Sequence, residues 1–173
     1  MNPLFRQTRI LLVFLLMAIA GSCTQSVRPT SVILLIADGA GVPYWTALAL
    51  ASDDPAFKQL PIVGLVETQC ADSLITDSGA SATAFASGVR TYYHAVGMDV
   101  DTNVVPTVLE VAQQRGWATG LVVTSTITHA TPASFAAHVV DRNTDFEIAR
   151  QLSESGIDVL LGGGRRPHHT TTR

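Results

Sequence analysis

The residues Thr76-Asp77-Ser78-Gly79-Ala80-Ser81-Ala82-Thr83-Ala84 set a serine directly after an aspartate and ahead of a run of small side chains. Small side chains let the backbone approach whatever the serine touches. The same run has the makeup of a helix start, which puts Ser78 at a helix N-terminus. There, free N–H groups and the helix dipole favour an anion. A hydroxyl beside an anion pocket suits nucleophilic attack on phosphate. A plainer use of these residues is a serine N-cap on a small-residue helix, with no chemistry at all.

Two further segments carry groups of the same kind. The apolar run at residues 32–37 ends at Asp38-Gly39-Ala40-Gly41, which places a hard oxygen ligand at a strand end. An Asp-Gly pair is also a common turn. Downstream, His129-Ala130-Thr131-Pro132-Ala133 is followed by Arg142, whose planar fork suits two phosphoryl oxygens. Gly162-Gly163-Gly164 closes another apolar run.

Taken in this order, with Gly88-Val89-Arg90-Thr91-Tyr92 after the serine segment, these motifs resemble the alkaline phosphatases from about Val32 to Gly164. The resemblance implies phosphate monoesters as substrates, a phosphoserine at Ser78, and Zn2+ and Mg2+ as cofactors. It implies that Asp38 bridges a zinc and the magnesium, that Thr131 completes the magnesium site, and that Arg142 holds phosphoryl oxygens. By the same resemblance Asp77 orients Arg142 through a salt bridge. His129 stands where some members have aspartate and others histidine. Histidine is the softer ligand, so hydrogen bonding to a metal-bound water and a preference for zinc are both open. Ala37 and Gly79 replace residues that are often glycine and alanine in the family. Members continue well beyond the position of Gly164, and that part carries most zinc ligands and a magnesium glutamate. The expectation is therefore the N-terminal portion of such an enzyme, whose own activity is open. Members are often dimeric, so the resemblance leaves a homodimer of the full-length parent open, and the sequence does not settle oligomeric state.

Other readings are a non-catalytic phosphate- or metal-binding lipoprotein fragment and a related phosphodiesterase or sulfatase. The latter would carry its nucleophile in a different local motif. No Gly-x-Ser-x-Gly elbow surrounds Ser78, which argues against a serine acyl-hydrolase.

With 173 residues the chain can build one domain with a real core. A net charge of −3 and a single lysine, Lys58, argue against nucleic-acid binding. Arg6 and Arg9 precede an apolar stretch at residues 10–20, and Ala20-Gly21-Ser22-Cys23 reads as a bacterial lipobox. Residues 1–23 are thus expected to be a lipoprotein signal, with Cys23 lipidated and the protein exported and anchored at the bacterial cell envelope. A transmembrane anchor is the alternative, although a span needs about 20 apolar residues. A soluble protein cut near Cys23 is another. Residues 24–30 read as a tether, 31–164 as the N-terminal part of the phosphatase domain, and 165–173 as a polar tail. Cys70 is left as a small core residue.

The elements that must position these groups alternate. Strands are expected at residues 32–37, 62–68, 118–124 and 157–161. Helices are expected at 42–51, 78–87, 106–115, 132–138 and 145–155. This order gives an α/β fold with a mainly parallel sheet flanked by helices. Such sheets bind ligands beyond the carboxyl ends of their strands, where Asp38, Ser78, His129 and Thr131 would gather.

Overall fold

The computed structural model describes residues 31–164. The chain divides into two compact units, residues 1–36 and 37–173. Of the first, residues 31–36 are described and form no regular element. Cys23, the signal, the tether and the polar tail lie outside the described residues.

The second unit is α/β. Its elements run α1 (Val42–Ala51), a 3-10 turn (Ala56–Gln59), α2 (Ser78–Ser87), α3 (Val108–Gln114), β1 (Gly120–Thr126), α4 (Ala130–Ala133), α5 (Asp145–Glu154) and β2 (Val159–Gly163). β1 and β2 pair in parallel, with Gly120 opposite Val159, Leu121 opposite Leu160 and Val122 opposite Leu161. The register then shifts between Val122 and Thr126. Parallel neighbours require a crossover, and α4 and α5 lie within it.

Local chemistry explains the helix bounds. Pro43 sits in the first turn of α1, where its missing N–H is no loss. Gly88 ends α2 in the left-handed conformation, with φ of 75°, and its N–H returns to Ala84 O. A reciprocal capping box opens α3: Glu110 N–H donates to Thr107 Oγ1, and Thr107 N–H to Glu110 Oε2. Gly116 follows α3 with φ of 76°.

The core is built from small side chains. Ala80, Ala82, Ala86 and Ala133 are buried and let α2 and α4 approach closely. Two buried hydroxyls are satisfied between these helices: Thr83 donates to Ser134 Oγ and accepts from Gly97 N–H, while Ser134 donates to Ala130 O. Ile148 and Leu152 anchor α5, each burial contributing about 2 kcal/mol. Cys70 is buried and free, as expected of a core thiol.

Three expected elements differ. Residues 32–37 and 62–68 form no strand. A strand buried on both faces needs neighbours on both edges. Among the described residues the sheet contains β1 and β2 alone, and Ile33, Leu35, Ile62, Val63 and Leu65 stay exposed. The helix expected at 132–138 is replaced by the shorter α4. Beyond it, tertiary partners take the backbone: His138 N–H donates to Gln151 Oε1 and His138 O accepts from Gln151 Nε2. Val139 then exchanges backbone hydrogen bonds with Val96.

Candidate active site

Asp77 organises the site. It is the N-cap of α2, so the serine-cap alternative does not hold; Ser78 is the first helical residue. The Asp77 carboxylate accepts four hydrogen bonds. Oδ1 receives the N–H of Ala80 and of His94, and Oδ2 receives the N–H of Gly79 and Nη1 of Arg142 at 2.8 Å. A carboxylate has about four acceptor positions, so Asp77 is filled. Burial pushes its pKa up, but the Arg142 hydrogen bond and the three N–H donors outweigh that and hold it below the ordinary value. A saturated, ionised carboxylate orients its neighbours; it is poorly placed to take a proton.

The ion pair is largely withdrawn from solvent, with side-chain exposures of 20% for Arg142 and 6% for Asp77. Arg142 Nη2 meets His129 Nε2 at 3.2 Å. Since the guanidinium only donates, Nε2 is the acceptor there. The opposite ring nitrogen, Nδ1, lies 3.7 Å from Asp38 Oδ2 and 3.5 Å from Thr131 N. Thr131 Oγ1 donates to Asp38 Oδ2 at 2.8 Å.

Asp38 occupies a turn in which Ala40 N–H returns to Ala37 O and Gly39 takes φ of 74°. Thr131 is in α4, and His129 is the α4 N-cap. The six residues expected to act within the chain thus form one connected series in the second unit: Ser78, its neighbour Asp77, Arg142, His129, Asp38 and Thr131. Ser78 is half-buried.

Asp38, His129 and Thr131 offer a carboxylate, an imidazole and a hydroxyl at one corner. That donor set fits part of a divalent-cation site, since Mg2+ keeps several waters beside one or two carboxylates. Among the described residues no three His, Cys, Asp or Glu side chains converge as a complete metal cluster.

Motif reading missed His94. Its backbone donates to Asp77 and accepts from Arg142 N–H, and its φ is 75°. No residue type or spacing in Tyr92-Tyr93-His94-Ala95 signals that link.

Comparison with known proteins bears on the family of this chain. The alkaline phosphatase family profile matches residues 30–173. Alkaline phosphatase 3 of Bacillus subtilis is 43% identical over 151 residues, covering 78% of this chain and 32% of that protein. The alkaline phosphatase of Escherichia coli is 35% identical over 166 residues, covering 79% of this chain and 35% of its own. The solved alkaline phosphatase from the Antarctic bacterium TAB5 superposes with a TM-score of 0.70 at 41% identity, over 73% of this chain and 37% of that one. A histidine-to-aspartate mutant of the TAB5 enzyme was solved with magnesium bound. The chain spans about a third of the length of the curated relatives it matches. On the profile match and these identities, the chain belongs to the alkaline phosphatase family.

Proposed function

We propose that this chain carries the nucleophile and phosphate-binding portion of a metal-dependent phosphomonoester hydrolase. The observation that carries the reading is the Arg142–Asp77 ion pair, with Asp77 capping the helix that begins at Ser78. It holds a guanidinium, whose fork suits two phosphoryl oxygens, beside the turn that opens at Ser78.

In this reading Ser78 Oγ attacks phosphorus in line. The serine–phosphorus bond forms as the ester P–O bond breaks; the serine proton passes to solvent and the ester oxygen takes one from solvent to leave as an alcohol; a water then breaks the serine–phosphorus bond, releasing inorganic phosphate as the serine oxygen regains a proton. Arg142 binds two non-bridging oxygens through its remaining N–H groups and stabilises charge developing on them. Asp77 keeps the fork aimed. Asp38 and Thr131 would hold Mg2+, with Asp38 shared with Zn2+ and His129 adjoining. Bound divalent cations would supply Lewis-acid stabilisation of the serine alkoxide and lower the pKa of water.

Export with a lipid on Cys23 places the protein at the bacterial cell envelope in this reading, and a homodimer is the proposed assembly of the full-length protein. The class is tested by assaying the full-length, metal-loaded protein on a phosphomonoester, a phosphodiester, a sulfate ester and a carboxylic ester. Turnover concentrated on the monoester supports the proposal. Preference for a diester or sulfate would replace it with the related hydrolases, and phosphate binding without turnover would replace it with a binding protein.

A further inference from the structure

Resting on the phosphoryl-transfer reading above, we propose that His94 is a positioning residue whose left-handed backbone sets the spacing between the Ser78 turn and Arg142. Three contacts close a circuit. His94 N–H donates to Asp77 Oδ1 at 3.2 Å, Arg142 N–H donates to His94 O at 2.9 Å, and Arg142 Nη1 donates to Asp77 Oδ2 at 2.8 Å. The side chain and the backbone of Arg142 are therefore fixed from two ends of one loop.

The circuit presses against the nucleophile turn. A Cβ added to Gly79 would lie 2.7 Å from Ala95 O and 3.5 Å from His94 C. Nothing larger than glycine fits between the serine turn and this backbone without a shift. Of the described residues, only His94 and Thr102 are non-glycine with positive φ. That conformation is uncommon for a residue with a Cβ and costs of order 1 kcal/mol. It persists because an N–H and a C=O must both be presented to the site. The ring stacks on Tyr93 at 4.4 Å between centroids and approaches Asp141 Oδ1 at 3.7 Å. It takes no part in the circuit.

The test replaces residue 94 according to left-handed tolerance, in the full-length metal-loaded protein, with inorganic phosphate as probe. His94→Gly and His94→Asn should hold phosphate as wild type does, since glycine and asparagine accept positive φ. His94→Val should weaken phosphate about tenfold, the size of an ordinary coupling between contacting residues. That loss should vanish in an Arg142→Ala background. A second readout needs neither turnover nor metal: the Arg142 Nη1–H NMR signal of the metal-free protein, whose hydrogen is bonded to Asp77, should exchange slowly in wild type and His94→Gly, and broaden in His94→Val. If His94→Val does not fold, His94→Ala serves, with an intermediate loss. Unchanged phosphate affinity and Arg142 signal across the series would overturn the proposal, as would an equal loss with and without Arg142. Failure of the wild type to bind phosphate, with the Arg142 signal still sensitive to residue 94, would sink the phosphatase reading and leave the positioning role standing.

Discussion

Replacing Asp77 by alanine removes four hydrogen bonds at once. Loss of the α2 N-cap costs about 1 kcal/mol. The His94 N–H loses its acceptor, which costs about 1 kcal/mol more. Arg142 loses its charged partner at 2.8 Å, in a setting where its side chain is 20% exposed, and charge-assisted bonds of this kind contribute about 2 kcal/mol. The sum is about 4 kcal/mol, a large share of the roughly 5–15 kcal/mol that keeps a domain folded. Asp77→Asn keeps the cap, because asparagine caps helices as well as aspartate. Its one oxygen can still accept from the Ala80 and His94 N–H groups, so the loss should be nearer 2 kcal/mol, from the Arg142 pair and the Gly79 N–H that would face the amide nitrogen. Urea unfolding of the full-length variants measures both, read as midpoint shifts at constant slope. An alanine variant within 1 kcal/mol of wild type, or an asparagine variant as unstable as alanine, would refute the saturated-carboxylate account.

Burial raises the pKa of Glu110, but the His138 hydrogen bond and the Thr107 N–H outweigh it and hold it below the ordinary 4.5. A carboxylate held low when folded adds stability that is full above its ordinary value and fades as pH falls through the folded value. The stability gap between wild type and Glu110→Gln should thus be widest above about pH 4.5 and close in stronger acid; a gap independent of pH would contradict it. For export, labelled fatty acid should enter the mature protein and be lost in Cys23→Ser but kept in Cys70→Ser. Labelling that survives in Cys23→Ser would end the lipoprotein reading.

Much of the local structure was legible because it is decided locally. The alanine-rich run with Gly88 behind it specifies α2, and Pro43 marks the start of α1. The site residues were legible as types in order, since each motif sits in a turn or at a helix start. What was hidden depends on distant partners. The apolar residues 32–37 and 62–68 have strand composition, yet a strand exists only with a neighbour to bond. Helical makeup at 132–138 lost to Gln151 and Val96, which take the backbone of His138 and Val139. The link through His94 is made by its backbone, so its side chain could not announce it. The choice of Asp77 over Ser78 as N-cap had a signal, since both cap well and the carboxylate alone can also hold Arg142.

The central claim is that Ser78 receives the phosphoryl group. The full-length, metal-loaded protein is mixed with a labelled phosphomonoester, quenched in acid, digested and mapped. The account predicts label on the peptide containing Thr76-Asp77-Ser78 and its loss in Ser78→Ala. Label that persists in Ser78→Ala, or that maps to another residue, would contradict it.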